Sequence, residues 1–438
     1  MKLALIIEHF NPTRGGAEHF TVWLAEQLAA RTDPRGGRTH EVHVICHDLA
    51  AQVNRYRQAT QRASHDADRS HQAHPPAPGE HVLPDGIRVH RMRGMRLNSG
   101  LGFRRFGRRA AQCAREVAPD VIHSMTVAYP GDLYHPHAGI YAAIQAQAVA
   151  SRDTNASAKW KQLMLQLSLK QRTLIALERR ALTANRFFLG TPGPRRIISL
   201  SPMMTRQFRE SYPDLDPRKI VDLPNPRMTP AAALDPARAA ADREWFRSHY
   251  RLEPLDRVAI FVGHDFRRKG LRFAIEAIAK THTRWKLLIV GLGKAREYID
   301  LADELKLGET SPAGPRVLFV GPTRETDRAY AAADALLLPT FYDSFGLVAV
   351  EALSHGLPVV STAFLGAGDW VARHRVGTIV PTPRDTDQMA AALDALPRPG
   401  TPQLHALAAR AREAGDMMPP DRYLDRLETL YTEIKNDR

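Results

Sequence analysis

Short runs of apolar and β-branched residues, each closed by Gly, Pro, Asn or Ser and separated by stretches long enough for a helix, occur in two successive sets along this chain. In the first half they are Leu3–Ile7, Val42–Cys46, Ile87–His90, Val121–Ser124, Ile197–Leu200 and Ile220–Leu223. In the second they are Val258–Val262, Leu287–Val290, Val317–Val320, Ala335–Leu338, Val359–Ser361 and Thr378–Val380. Continuous apolar runs of this kind belong to strands buried on both faces, and parallel strands need helix-length crossovers between them. The pattern predicts an α/β chain of two doubly wound domains, residues 1–225 and 251–400. Residues 226–250 carry Pro, Ala and charge but no strand run, so they read as the connection, with a helix over Ala232–Tyr250. Residues 401–438 read as C-terminal helices packing back on the N-terminal domain.

The length of 438 residues suits two such domains, and 44% hydrophobic with 25% charged residues excludes a disordered, collagen-like or coiled-coil chain. The two cysteines, Cys46 and Cys113, have no Cys or His neighbours at zinc-site spacing, so neither a disulfide framework nor a structural metal is expected. The opening run Met1–His9 turns polar too soon for a signal-peptide core or a membrane span, and a cytoplasmic protein is expected. Ser64–Gly86, rich in His, Pro and Asp, reads as a solvated insertion rather than a metal tract, because no regular ligand spacing appears. Charge is uneven. Residues 1–225 hold 32 Lys and Arg against 19 Asp and Glu, a net of +13, while the remainder holds 29 against 28. The N-terminal half is therefore expected to meet something anionic.

Three segments carry chemistry. Asn11–Glu18 places Gly15 and Gly16 between the first strand and a helical stretch, where backbone can approach a phosphate or sugar and helix-start amides can face it. The dinucleotide fingerprint G-x-G-x-x-G is absent, which argues against a nicotinamide or flavin enzyme. Phe261–Gly270 sets Arg268 and Lys269 after a strand, between Gly263 and Gly270. Cations at that edge of a parallel sheet suit a departing diphosphate. Tyr342–Ala352 follows the strand ending at Pro339. Its Ser344–Gly346 lie at the turn and Leu347 opens a helix, so the amides of Phe345, Gly346 and Leu347 can receive phosphate, and Asp343 and Glu351 can accept sugar and ribose hydroxyls. A bland alternative makes Asp343 a helix cap and Glu351 a salt-bridge partner.

In this order the three segments resemble the retaining glycosyltransferases of family 4, and the likeness extends over nearly the whole chain. Gly356–Ser361, Ser201 after its strand and Leu223-Pro224-Asn225 before the connection fit the same pattern. Within that family Gly263–Gly270, Pro130–Tyr134 with Tyr141-Ala142, and Leu177–Ala181 resemble the lipopolysaccharide core glucosyltransferases that add the first glucose to heptose. Three positions depart from the family: Asp343 replaces a usual Glu, Pro226 a usual Gly, and His135-Pro136-His137 a more apolar stretch.

The resemblance implies two Rossmann-like domains facing across a cleft, the GT-B type. It implies a UDP-sugar donor, UDP-glucose by preference, held by the C-terminal domain, and a lipid-linked saccharide acceptor such as a lipopolysaccharide core on the N-terminal one. Arg268 and Lys269 would stabilise the leaving phosphate, Asp343 the sugar and Glu351 the ribose, with Gly15, Gly16, Gly263 and Ser344–Leu347 in donor contact. No metal or other cofactor is expected. The departing phosphate can take the acceptor proton; Asp132, His135 and His137 are the nearest protein candidates.

The segment Leu101–Arg115 separates Leu101, Phe106, Ala110 and Cys113 from an arginine face that includes Arg104 and Arg108, with Arg105 and Arg109 beside them and Arg91, Arg93 and Arg96 upstream. Such a helix suits an anionic membrane face or a phosphorylated lipid acceptor; an ordinary core helix with a solvated face is the alternative. Nucleic acid is set aside for want of an aromatic-interleaved basic motif. A monomer at the inner membrane face is expected. The competing readings are a sugar-nucleotide epimerase or phosphorylase-like enzyme of the same architecture, or a non-catalytic nucleic-acid- or membrane-binding protein on this fold.

Overall fold

The computed structural model describes residues 1–33, 36–49, 80–83, 85–92, 97–183, 193–309, 311, 314–323 and 325–437. Most of Ser64–Gly86, together with Arg93 and Arg96, lies outside the described residues. The N-terminal sheet holds β1 (Lys2–Phe10), β2 (Glu41–Leu49), β3 (Glu80–Val82), β4 (Arg88–Arg91), β5 (Val121–Ser124), β6 (Leu133–Tyr134), β7 (Arg196–Ser199) and β8 (Ile220–Asp222). Their spatial order is β3-β4-β2-β1-β5-β6-β7-β8, parallel apart from the β3–β4 edge. The second sheet holds β9 (Arg257–Val262), β10 (Trp285–Val290), β11 (Val317–Gly321), β12 (Ala335–Leu338), β13 (Val359–Thr362) and β14 (Gly377–Val380), all parallel, in the order β11-β10-β9-β12-β13-β14.

Strand order reverses between β1 and β5 and again between β9 and β12, where Leu3 pairs with Val121 and Ala335 with Ala259. At such reversals the connections leave in opposite directions and open a crevice at the carboxyl ends of the strands. Leu3–Ile7 and Val258–Phe261 are buried throughout, as helix cover on both faces requires. Strands β3 and β6, three and two residues long, were not anticipated, since segments that short hold no readable alternation. The helix expected over Ala232–Tyr250 is a 3-10 turn at Ala231–Leu234 and then a helix at Pro236–His249. Pro236 cannot continue a helix but suits a first position, and Asp235 caps it through the Arg238 amide at 2.9 Å.

The helix Pro402–Gly415 buries Ala411 and Ala414 in the C-terminal core, while Pro420–Asn436 buries Tyr423, Leu427 and Tyr431 in the N-terminal one. The chain thus crosses between domains twice, and the crossings touch: the Arg227 amide donates to the Met418 carbonyl at 2.9 Å, and Arg227 pairs with Asp416.

Glu178, fully buried on the helix Leu169–Thr183, accepts from the Tyr141 amide and, at 2.6 Å, from the Tyr212 hydroxyl. Burial pushes its carboxyl up to about 7 against those hydrogen bonds. The folded chain therefore holds this proton more tightly than the unfolded chain, whose carboxyl titrates near 4.5. Its contribution is complete below that value and is lost as pH rises toward 7, by at most about 3 kcal/mol. Urea unfolding from pH 4 to 8 should show a downward slope that Glu178→Gln removes; parallel profiles for the two proteins would refute this.

Candidate active site at the facing sheet edges

Beyond β9 the chain turns through Gly263–Gly270, and beyond β12 through Pro339–Gly346. These loops flank the reversal point of the C-terminal sheet. Gly270 adopts φ +77°, and a Cβ there would lie 1.9 Å from the Pro339 carbonyl oxygen. Only glycine lets the two loops touch. Gly346, at φ +93°, begins the helix Leu347–Ser354 and has no side-chain cap, so the helix start is open to a ligand.

Arg268 and Lys269 share this edge but differ in setting. Lys269 is buried, and its ammonium forms an ion pair with the Asp343 carboxylate. Burial raises the Asp343 carboxyl, yet the Lys269 and Arg268 charges, the Lys269 hydrogen bond and the Phe345 amide hold it below its ordinary value. The Arg268 side chain, 40% exposed, donates to the Tyr342 carbonyl at 2.8 Å and to Asp265 at 3.2 Å. The sequence reading gave Lys269 and Asp343 separate duties; without ligand they neutralise one another. Glu351 accepts from the Tyr330 hydroxyl at 2.8 Å, and burial raises its carboxyl against that hydrogen bond. Tyr330 is a support for Glu351 that sequence reasoning missed, because the two lie on different helices.

The N-terminal domain meets these loops directly. Phe345 and Val350 pack into its core, and a Cβ on Gly16 would lie 3.4 Å from Leu347. Gly15 stands before the helix Gly16–Ala30, and Gly16 brings that turn against the start of the helix Leu347–Ser354. Ser344 bridges the domains: its hydroxyl donates to the His137 carbonyl at 2.7 Å, and its own carbonyl accepts from Ser201 at 2.9 Å. Its hydroxyl is therefore engaged across the seam rather than open to a phosphate. The Phe345 amide helps hold the Asp343 carboxyl down, and Gly346 and Leu347 stand at the uncapped helix start.

The candidates for proton acceptance divide. Asp132 precedes β6 at the opposite, amino-terminal edge, where its carboxylate accepts from the Ile122 amide at 2.9 Å and its carbonyl from Arg195 at 2.8 Å. It ties strand starts together and is removed from the catalytic set. His135 is fully buried 3.2 Å from His123, and burial drives its imidazole well below the ordinary value. His137 lies at the seam, stacked on Phe20 with centroids 4.7 Å apart and its Nε2 3.0 Å from Asn225. Burial lowers it to about 4 against the pull of Asp343, so it is a neutral, weak base whose contacts hold the seam.

Arg104, Arg105, Arg108 and Arg109 are all exposed on the helix Gly100–Val117. Leu101, expected on the core face, is 58% exposed, being one residue into the first turn. A larger apolar surface was missed. The helix Asn155–Leu167 buries none of its residues, and Trp160, Leu163, Met164 and Leu167 stand exposed beside Leu169, at 65% for Trp160 and 74% for Leu169. The i, i+3, i+4, i+7 spacing of the first four was legible in the sequence. No helix among the described residues is long and apolar enough to cross a membrane.

Two Rossmann-like domains with apposed carboxyl edges, cations at one and a glycine turn at the other, constitute the GT-B fold of glycosyltransferases. Residues 256–398 match the family model "Glycosyl transferases group 1", so the C-terminal domain is a group 1 glycosyltransferase domain. The chain is similar to the lipopolysaccharide glucosyltransferase WaaG of Escherichia coli, 33% identical over 151 residues, covering 34% of this chain and 39% of that protein. It is also similar to the D-inositol 3-phosphate glycosyltransferase of Mycobacterium marinum, 35% identical over 178 residues, covering 39% of this chain and 36% of that protein. These matches span less than two fifths of either relative. In three dimensions the crystal structure of WaaG superposes with a TM-score of 0.68 at 21% identity, over 99% of this chain and 98% of that one. Sucrose-phosphate synthase of Thermosynechococcus elongatus gives 0.72 at 19% identity, over the whole of both chains.

Proposed function

We propose that this protein is a retaining glycosyltransferase that moves a hexose, glucose by preference, from a UDP-sugar to a lipid-linked saccharide without a metal ion. The observation that carries the reading is the meeting of Arg268 and the Lys269–Asp343 pair with the uncapped helix start at Gly346, against the Gly15–Gly16 turn. As the bond to the anomeric carbon lengthens, negative charge grows on the β-phosphate; Arg268, Lys269 and the Gly346 and Leu347 amides meet it in a largely dry site. A phosphate drawing Lys269 toward itself frees Asp343 to accept hydroxyls of the donor sugar. Glu351, oriented by Tyr330, takes the ribose. In a same-face displacement the leaving phosphate receives the acceptor proton, in keeping with the weakly basic buried imidazoles of His135 and His137 and the placing of Asp132 at the far edge of the sheet.

The similarity to a lipopolysaccharide glucosyltransferase favours glucose and a saccharide acceptor; the similarity to an inositol phosphate enzyme keeps the acceptor class open to test. The exposed apolar strip from Trp160 to Leu169, with Lys159, Lys161 and the arginines of Gly100–Val117 near it, suits peripheral contact with an anionic membrane face. The experiment is incubation with UDP-, GDP- and ADP-sugars in EDTA, following calorimetric affinity and slow nucleotide release. One UDP-sugar should bind and hydrolyse, and Arg268→Ala/Lys269→Ala should abolish both. A folded protein that binds none of these donors would reject the proposal.

A further inference from the structure

The helix Tyr141–Ala150 of the N-terminal domain buries none of its residues fully; its first turn, Tyr141–Ala143, packs partly against that domain's core. A helix this short is marginal in water, so its place depends on what holds its ends. The C-terminal domain holds both. At the start the Ile140 amide donates to the Tyr342 hydroxyl at 3.1 Å, and that hydroxyl donates to Gln207 at 3.3 Å. Gly139 adopts φ +102°, and a Cβ there would lie 2.2 Å from the Tyr342 hydroxyl oxygen, so the approach requires glycine.

At the other end Arg384 donates to the carbonyls of Ala150 at 3.2 Å and Arg152 at 2.6 Å, satisfying acceptors that a helix terminus leaves open. Asp153 then pairs with Arg267 at 3.2 Å and Arg272 at 3.7 Å. Residues 133–177 contain no other acidic side chain. Both arginines have carboxylates in their own domain, Glu297 at 3.6 Å and Glu276 at 2.8 Å, so Asp153 is what joins them to the opposite one.

Each of these contacts lies one step from Arg268. The Tyr342 carbonyl accepts from the Arg268 guanidinium at 2.8 Å. The Phe341 amide donates to the Arg268 carbonyl at 2.8 Å, and the Phe341 ring centroid lies 5.9 Å from the Arg384 guanidinium. Arg267 is the residue before Arg268. The two ends differ in setting, since Tyr342 is buried whereas Asp153 and Arg267 are 38% and 37% exposed. A buried hydrogen bond is costly to leave unmade, while exposed ion pairs are weak and screened by salt.

We propose that this helix is a strap between the domains, and that Asp153, Arg384 and the Tyr342 hydroxyl are positioning groups that hold Arg268 toward the donor phosphate. The proposal rests on the transferase reading and adds to it groups remote from the reacting atoms. The Tyr342 end is the pivot and the Asp153 end the latch: releasing the latch leaves the domains joined at Tyr342 but frees the Gly263–Gly270 loop to turn.

The test uses the full-length protein and UDP-glucose. Asp153→Asn should lower kcat for donor hydrolysis about fivefold with KM little changed, the scale of an exposed ion pair expressed through Arg268. In an Arg268→Ala background the same substitution should change kcat no further, whereas a merely structural loss would add. Asp153→Glu should restore part of the rate. Hydrogen exchange reads the coupling without a donor: in Asp153→Asn the Phe341 and Lys269 amides, bonded to the Arg268 and Asp265 carbonyls, should exchange about fivefold faster. Unchanged protection of those amides, a loss confined to KM, or an effect on kcat that persists in Arg268→Ala would overturn the proposal. Wild-type protein that binds no UDP-glucose, while the amides respond as expected, would reject the transferase reading and support the strap.

Discussion

Lys269→Ala is expected to abolish transfer and to destabilise the C-terminal domain by about 3–5 kcal/mol, the range for removing one partner of a buried ion pair. The Asp343 carboxylate would remain in a site where its companion ammonium holds it ionised, and desolvation would then raise its carboxyl. The sign of the pH dependence follows. In the wild type the depressed Asp343 value contributes stability above the ordinary carboxylate range, lost as pH falls through the folded value. In Lys269→Ala that contribution disappears, and stability instead falls as pH rises. Lys269→Met/Asp343→Asn should recover most of the stability and none of the activity. Urea unfolding separates the two effects; a double variant as unstable as Lys269→Ala would show that the pair is not what the fold depends on.

Arg268→Ala should behave in the opposite way. Its guanidinium donates to the Tyr342 carbonyl and to Asp265, an exposed i, i+3 pair, and is itself partly exposed, so stability should change little. Activity should fall about 10²–10³-fold, the cost of removing one preorganised donor from developing negative charge. The loss should appear in kcat more than in KM, because the interaction strengthens as the phosphate departs. Steady-state kinetics with UDP-glucose measures it, and a loss confined to KM would assign Arg268 to ground-state binding instead. With these outcomes the two cations, side by side in sequence, would separate into one that serves both stability and the proposed transfer and one that serves the transfer alone.

Much of this was open to reading without coordinates. Two sets of apolar runs with helix-length spacers dictate two parallel sheets, because strands covered on both faces cannot alternate. Gly270 and Gly346 were legible as turn residues beside cations and a helix start, since such chemistry is local in sequence. The strip Trp160–Leu169 was equally local; its exposure was not, because an apolar helical face reads as core until its neighbours are known.

What required the tertiary structure were the long-range pairings. Asp132 sits one residue from an apolar strand, but only strand direction reveals that it lies at the edge away from the cleft. Lys269 and Asp343 belong to separate loops, and burial makes them one neutral pair. Ser344 meets His137 and Ser201 only because the domains touch, which makes a seam contact of a residue expected beside the donor. Steric and hydrophobic periodicity along the chain is enough to set the local grammar of strands, turns and charges. Which charges face each other, and which are left to meet a ligand, was decided by the packing of distant segments.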